Sequence, residues 1–332
     1  MSRLQELFDQ HGQSPWLDNL RRGWISSGEL QVLIDRGVRG ITSNPSIFQK
    51  AMTGTDDYDE QLSALAGAGR SIEDSYWELV TRDIVDALDL LRPVHEATHG
   101  LDGFVSVEVD PSLAADTGGT EAAARHLSRI IDRPNLFVKI PATAEGIPAI
   151  RTMIGEGCSV NVTLIFSLDR YEDVMEAYIA GLEAHEGDLS GTSSVASFFI
   201  SRTDTEIDRR LEAVGTPEAL ALRGRAAVAQ GQVAYDLFRQ AFSGPRWEAL
   251  VARGARVQRP LWASTSTKNP AYPDTLYVDA LIGPDTVNTL PEATLEAFDE
   301  HGTLARTVDA DPEGARATLA AVEAAGIDLD DV

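Results

Sequence analysis

Short apolar runs alternate with amphipathic stretches along most of this chain, and this alternation constrains its fold more than any other feature. Eight runs have the composition of strands: 15–17, 40–42, 103–109, 136–140, 159–166, 195–201, 260–264 and 276–278. Strands separated by helices of this length indicate βαβ units and a parallel sheet. Eight of them in 332 residues favour a (β/α)8 barrel, the TIM-barrel architecture, over an open doubly wound sheet.

The stretches between the runs have helical periodicity, and no linker rich in Pro, Gly or Ser divides the chain. We therefore predict a single domain over residues 1–332 with additional helices, including one in the polar surface segment 53–69. The main predicted helices are 26–36, 72–91, 121–131, 147–156, 169–185, 205–242, 291–301 and 312–325.

Charge and composition exclude several classes of protein. The net charge of -24 argues against a nucleic-acid partner, because the phosphate backbone would be repelled. No apolar stretch is long enough to span a membrane, and the amino terminus lacks the apolar core of a signal peptide. A single cysteine, Cys158, excludes an internal disulfide and a cysteine-cluster metal site. Together these features predict a cytoplasmic protein.

Lysine is rare: Lys50, Lys139 and Lys268 stand against 25 arginines. Lys139 lies in the apolar run 136–140. A lysine can lose its proton when it is desolvated and then attack a carbonyl, whereas a guanidinium is too basic to do so. Alternatively, Lys139 is a strand-end residue whose stem packs and whose head reaches water. The local sequence leaves both interpretations open.

Polar residues stand at the ends of most predicted strands, where a barrel collects its functional side chains. Each has a structural alternative, such as a helix cap for Asp18 or a turn for Asn44 before Pro45. As a set they suit Schiff-base chemistry on a sugar, because an amine condenses with a ketone while carboxylates move protons. The candidates are Asp18, Asn44, Glu108, Lys139, Asn161, Thr163 and Ser197, with Ser266 in the polar run after the seventh strand. Arg202 and Lys268 follow strands six and seven, close to where barrels often bind phosphate.

Other chemistries lack their motifs. The sequence has no G-x-G-x-x-G opening a helix after the first strand, no phosphate loop of the G-x-x-x-x-G-K-[ST] type and no G-x-S-x-G elbow. None of the six histidines stands in an H-E-x-x-H pattern. No metal and no organic cofactor is indicated.

Two segments resemble the signatures of the transaldolase family. Residues 40–48, Gly-Ile-Thr-Ser-Asn-Pro-Ser-Ile-Phe, are similar to the first signature. Residues 136–143, Leu-Phe-Val-Lys-Ile-Pro-Ala-Thr, followed by Glu145-Gly146 and by 161–163, are similar to the second, lysine-containing signature. The intervals fit from Asp18 to Lys268, so the resemblance covers most of the chain.

The resemblance implies a transferase of the pentose phosphate pathway with a class I aldolase-like barrel. It would move a dihydroxyacetone unit from sedoheptulose 7-phosphate to glyceraldehyde 3-phosphate, giving erythrose 4-phosphate and fructose 6-phosphate. Phosphorylated sugars are thus the expected partners. The assembly stays open between a monomer and a homodimer.

The resemblance also implies a role for each candidate. Lys139 matches the nucleophile, Glu108 an acid/base that works through a water held partly by Thr163, and Asp18 the carboxylate that takes the C4 hydroxyl proton. The remaining matches are substrate contacts: Asn44, Asn161 and Ser197 for the dihydroxyacetone moiety, and Arg202, Ser266 and Lys268 for the phosphate.

The chain departs from the family pattern at three places. Asp18 lacks the Asp-Thr pairing common after the first strand, Lys268 stands where many members carry Arg, and Phe198 interrupts the more usual Ser-Pro-Phe. Phe199 stands where the related fructose 6-phosphate aldolases carry a tyrosine, and the absent hydroxyl favours transfer. Two alternatives stay open: an aldolase-type lyase that releases dihydroxyacetone, and a phosphosugar-binding barrel without catalysis.

Overall fold

A computed structural model describes residues 2–332, and its parallel strands close into a barrel in sequence order. Strand β8 pairs with β1 from Gln13↔Thr286 to Leu17↔Leu290, which completes the closure. The predicted (β/α)8 fold is confirmed. The strands are β1 Gln13–Leu17, β2 Gly40–Thr42, β3 Phe104–Glu108, β4 Leu136–Pro141, β5 Val160–Ile165, β6 Ser194–Phe199, β7 Arg259–Ala263 and β8 Thr286–Leu290.

Helices cover the outside of the barrel, and a 3₁₀ turn lies at Pro111–Leu113. None of the helices in residues 2–332 has the length and apolar character needed to cross a membrane. The helices are α1 Arg3–His11, α2 Arg22–Ser27, α3 Glu29–Arg36, α4 Pro45–Gly54, α5 Asp59–Gly67, α6 Ile72–Ala97, α7 Thr117–Ile131, α8 Gly146–Gly155, α9 Leu168–Ala184, α10 Ser201–Val214, α11 Pro217–Leu220, α12 Ala226–Ala241, α13 Gly244–Val251, α14 Leu276–Asp279, α15 Glu292–His301 and α16 Pro312–Ala324.

The predicted eighth strand was wrong. Residues 276–278 belong to the short helix α14, and the chain enters the sheet ten residues later as β8. An apolar triplet has no periodicity that separates a strand from a helical turn. The sequence Thr-Val-Asn-Thr-Leu of β8 looks like a surface segment, yet all five residues are buried. The other seven strands lie within two residues of the predicted bounds.

Two predicted helices are each divided by a glycine in the left-handed region. Gly28, with φ of 83°, separates α2 from α3 within the predicted helix 26–36. Gly215, with φ of 72°, ends α10 within the predicted helix 205–242, and a turn at 221–225 then separates α11 from α12. Glycine ends a helix here because it adopts this backbone conformation without a steric cost. The helix predicted within 53–69 is confirmed as α5.

Alternation along the strands separates the barrel interior from the layer beneath the helices. On β4, Phe137 belongs to the interior cluster, while Val138 and Ile140 belong to the larger outer one. The interior cluster consists of Trp16, Phe104, Phe137, Val195, Phe199, Leu261, Ala263 and Val287. Lys139, two residues after Phe137, is therefore the next residue of β4 that faces the interior. By the same rule Glu108, four residues after Phe104, faces the interior on β3.

Gly40 of β2 is required by the size of the Trp16 side chain. A Cβ atom at residue 40 would lie 2.4 Å from a ring carbon of Trp16, which is fully buried.

The lower end of the barrel, at the amino ends of the strands, is closed by a charged cluster around Asp102. Trp16 donates from Nε1 to the carboxylate of Asp102, and Arg39 and Arg259 both form ion pairs with it. Burial alone would raise the pKa of Asp102, but the two guanidinium groups hold it below its usual range. This closed lower end leaves the carboxyl end of the strands as the accessible one.

Candidate active site

A cavity of about 850 Å³ opens at the carboxyl ends of the strands. Ten of the eleven residues predicted for the site line it, and the eleventh, Asn161, lies fully buried next to Lys139 in the strand register. The ten are Asp18, Asn44, Glu108, Lys139, Thr163, Ser197, Phe199, Arg202, Ser266 and Lys268. The structure thus brings together residues that span 250 positions of the sequence.

Lys139 lies at the centre of this set. Its side chain is only 9% exposed, and its Nζ donates to Oε2 of Glu108 at 3.0 Å and to the carbonyl oxygen of Ser43 at 3.1 Å. Glu108 and Lys139 are register partners on β3 and β4, which fixes their separation through the backbone ladder. The amine head therefore faces the cavity, in contact with a carboxylate that can exchange a proton with it.

Asn161 is held in one orientation by two hydroxyl groups. Its Nδ2 donates to Oγ of Ser106 at 3.0 Å, and its Oδ1 accepts from Oγ of Ser197 at 2.7 Å. All three residues are buried, and each comes from a different strand. The sequence prediction missed Ser106. It lies two residues before Glu108 on β3, and its inward position follows only from the strand register.

Asp18 follows β1 and accepts a hydrogen bond from Thr42. The Oγ1 atom of Thr42 lies 2.7 Å from Oδ1 of Asp18 and 2.6 Å from Oγ1 of Thr289. Desolvation raises the pKa of Asp18, while Thr42 and the charges of Lys139 and Arg202 oppose that effect. An aspartate of this kind is a stronger base than one on the surface.

The sequence prediction missed Thr42 and Thr289. Both line the cavity. Thr42 stands two residues before Asn44 at the end of β2, so a closer inspection of that strand end could have identified it. Thr289 could not be identified in this way, because it lies on the strand whose position was predicted wrongly.

Asn44 directly precedes α4, and its side chain caps the amino terminus of that helix. Its Oδ1 accepts from the backbone N–H of Ile47 at 3.0 Å, and Pro45 occupies the first helical position. In the described part of the chain this is the one hydrogen bond of the Asn44 side chain, so its Nδ2 remains available to a ligand in the cavity.

Two cationic residues, Arg202 and Lys268, line the mouth of the cavity. Arg202, in the first turn of α10, lies over the ring of Phe199 at 5.0 Å, and Lys268 donates to Oγ of Ser266 at 2.6 Å. Both cations are exposed. Because β2 and β6 are opposite each other in an eight-stranded barrel, Arg202 faces Asn44 across the cavity.

Two further cations, Arg21 and Lys50, line the cavity, and neither was predicted to belong to the site. Arg21 forms an ion pair with Glu292 at 3.1 Å, and Lys50 is exposed on α4 at the mouth of the cavity. Within residues 2–332, no group of three or more His, Cys, Asp or Glu side chains is arranged to hold a metal ion.

Comparison with known proteins places this geometry in a family. The family model described as transaldolase/fructose-6-phosphate aldolase matches residues 15–332. A transaldolase of Parafrankia sp. (strain EAN1pec) is 54% identical over 326 residues, covering 97% of this chain and 88% of the relative.

Two more relatives agree over the whole length. The transaldolase of Thermobifida fusca (strain YX) is 54% identical over 336 residues, covering 100% of this chain and 91% of the relative. That of Arthrobacter sp. (strain FB24) is 51% identical over 333 residues, covering 99% and 90%. The chain therefore belongs to the transaldolase/fructose-6-phosphate aldolase family.

Proposed function

We propose that this protein is a transaldolase, a transferase that forms a Schiff base at Lys139. It transfers a dihydroxyacetone unit from sedoheptulose 7-phosphate to glyceraldehyde 3-phosphate, giving erythrose 4-phosphate and fructose 6-phosphate. One observation carries the proposal: the amine of Lys139 lies inside the cavity, 3.0 Å from the Glu108 carboxylate, and Asp18 lines the same cavity. The names of the relatives support it.

The reaction begins when the neutral amine of Lys139 attacks the C2 carbonyl of the ketose. Before the attack Glu108 takes one proton from the lysine ammonium, and after it Glu108 delivers this proton to the C2 oxygen. It then moves a second proton from the nitrogen to the resulting C2 hydroxyl, which leaves as water. Thr163, at the inward position two residues beyond Asn161 on β5, lines the same cavity and helps to hold a bound water that carries protons between Glu108 and the C2 oxygen. The product of this step is a protonated imine at C2.

Cleavage of the C3–C4 bond follows. Asp18 takes the proton of the C4 hydroxyl, the C3–C4 electron pair moves to C3, and the aldehyde leaves. The protonated imine accepts this electron density, so C3 becomes part of a neutral enamine rather than a free carbanion. The raised pKa of Asp18 suits this step, because a more basic carboxylate takes the proton more readily.

The second half of the reaction reverses these steps with a new aldehyde. Asn44, Asn161 and Ser197 hold the hydroxyl groups of the bound three-carbon unit, and Asn161 is oriented for this by Ser106. Arg202, Ser266 and Lys268 bind the phosphate of the incoming aldehyde and so orient its carbonyl toward C3. Lys268 acts as a point charge, without the bidentate geometry of an arginine.

The family includes aldolases, so the fate of the enamine decides between a transferase and a lyase. Phe199 lines the cavity with an apolar ring that packs against Phe166 at 5.0 Å. A ring without a hydroxyl offers no proton donor at this wall, which slows protonation of the enamine and favours transfer. Turnover of fructose 6-phosphate should therefore require erythrose 4-phosphate; turnover without this acceptor would identify a lyase.

Covalent trapping tests the nucleophile. Borohydride added with fructose 6-phosphate reduces the imine to a stable secondary amine, and peptide mass analysis should find the added mass on Lys139. Lys139→Arg should lose both the label and the activity, because a guanidinium does not form this imine. Lys50→Arg, the matched change at another cavity lysine, should keep the label. Label on Lys50 or Lys268, or no label, would overturn the mechanism.

Three predictions concern the whole protein. We propose one domain over residues 1–332, a cytoplasmic location, and a monomer or homodimer without nucleic acid. The net charge of -24 supports the absence of a nucleic-acid partner. Light scattering of the purified protein decides between monomer and dimer.

A further inference from the structure

The segment 266–271 carries Ser266 and Lys268 at the cavity mouth and is attached to the rest of the protein at its two ends. At the first end, the backbone N–H of Ser201 donates to the carbonyl oxygen of Ser264 at 2.9 Å, and their hydroxyl oxygens lie 2.9 Å apart. Between the ends, every hydrogen bond that the structure shows for 266–271 stays within 266–272. The position of Lys268 therefore depends on how these ends are held.

The second end is Tyr272, which is bound to α10. Its hydroxyl donates to Oδ2 of Asp208 at 2.5 Å, and its backbone N–H donates to the carbonyl oxygen of Asn269 at 3.1 Å. Asn269 directly follows Lys268, so the phenol contact is transmitted to the turn beside the cation. Burial and the neighbouring Asp208 raise the pKa of Tyr272, so the hydroxyl keeps its proton and acts as the donor.

The surroundings of Tyr272 hold its ring in one place. Gly224, with φ of 71°, lies under the ring, and a Cβ atom at that residue would come within 2.9 Å of Cζ of Tyr272. Asp208 is 8% exposed and accepts a second hydrogen bond, from the N–H of Gly224, at 2.9 Å. A buried carboxylate needs such donors, and Tyr272 supplies one of the two.

We propose that Tyr272 and Asp208 are positioning residues for phosphate binding. They hold the segment 266–271 against α10, so that Lys268 and Ser266 stand beside Arg202. Because Arg202 and Asp208 lie on the same helix, one rigid element sets both halves of the phosphate site. The inference rests on the proposed function and adds two residues that do not themselves contact the substrate.

The test compares phosphorylated and unphosphorylated donors. Tyr272→Phe removes one hydroxyl; we expect KM for fructose 6-phosphate and the inhibition constant of inorganic phosphate both to rise about ten-fold. The kcat value should stay within about two-fold, and kcat/KM for fructose, which has no phosphate, should not change. Asp208→Asn should shift the same constants in the same direction. Tyr235→Phe, a matched change at a buried tyrosine that donates to Pro284, should shift neither.

A double-variant cycle separates positioning from general loosening of the fold. In the Lys268→Ala background, Tyr272→Phe should add little to KM, because the cation that it positions is gone. Equal loss for fructose and fructose 6-phosphate, full additivity in the cycle, or an unchanged phosphate constant would each overturn the inference. Borohydride trapping at Lys139 runs in parallel: its failure counts against the proposed function, whereas a normal trap with unchanged phosphate constants counts against the positioning role alone.

Discussion

The Nζ atom of Lys139 lies 3.0 Å from Oε2 of Glu108, and the two residues are register partners on neighbouring strands. A backbone ladder therefore sets the distance over which a proton moves between the amine and the carboxylate. Both strands are buried and paired on each side, which holds the backbone positions of the two residues.

Glu108→Gln removes the proton acceptor and keeps the shape of the side chain. We expect kcat to fall by roughly 10²–10⁴, because formation and hydrolysis of the imine both need a proton to move. Single-turnover trapping with borohydride should still label Lys139, only more slowly. Near-normal kcat would mean that Glu108 is a structural partner of the lysine and no more.

Asp18→Asn separates activity from stability. The raised pKa of Asp18 means that its ionised form costs folding free energy at neutral pH, and that this cost disappears as the pH falls through the raised pKa. The variant should therefore melt at a higher temperature at pH 7 while its cleavage activity is lost. In the unchanged protein, the acid limb of the pH profile of kcat should have an apparent pKa above the ordinary aspartate value of about 3.9. A limb at or below that value contradicts the role of Asp18 as base.

Lys268→Ala tests where the phosphate binds. Loss of one charge-assisted contact should raise KM for fructose 6-phosphate about ten-fold and leave kcat nearly unchanged. Arg129→Ala, which removes an exposed charge far from the cavity lining, controls for the general field of the acidic surface. Equal effects of the two variants would place the phosphate elsewhere.

Asp204 predicts a pH dependence of stability outside the cavity. Burial raises its pKa to about 6, although it accepts hydrogen bonds from Tyr277 and from the N–H of Ala227. Its ionised form therefore costs about 3 kcal/mol at pH 7, and the cost is lost as the pH falls from 7 through 6 toward 4. Relative to Asp204→Asn, the unchanged protein should gain stability over that range in denaturant titrations. If the free energy of unfolding changes with pH in the same way for the two proteins, the pKa of Asp204 is not raised and the prediction is wrong.

Gly40→Ala tests the packing of the barrel interior. The new Cβ atom would overlap the Trp16 ring, which cannot move, and the free energy of unfolding should fall by about 1–3 kcal/mol. Gly67→Ala, in the exposed helix α5 with nothing within 4 Å, should instead stabilise by about 0.5 kcal/mol. Calorimetry of both variants should show one transition each, as a single domain requires; two transitions would contradict the single-domain proposal.

Seven strands and most of the cavity could be predicted from the sequence because the signals are local. A buried parallel strand needs an apolar run, and the inward residue at its end is found by counting in steps of two from the interior residues. Lys139, Glu108 and Ser197 follow this rule, and the grouping of ten predicted residues in one cavity agrees with it. The two signature-like segments pointed to the same family that the comparisons show.

The sequence by itself thus determined the barrel, the position of the lysine in it and the family to which the chain belongs. Only the tertiary structure decided which segment closes the barrel as β8, that Thr289 meets Thr42 above Asp18, and that Tyr272 binds Asp208 across 64 residues of chain. The physical reason is the distance along the chain over which each kind of interaction acts. Hydrophobic periodicity and glycine positions act within a few residues, whereas these contacts form between segments that become neighbours only when the closed barrel sets the register of its strands.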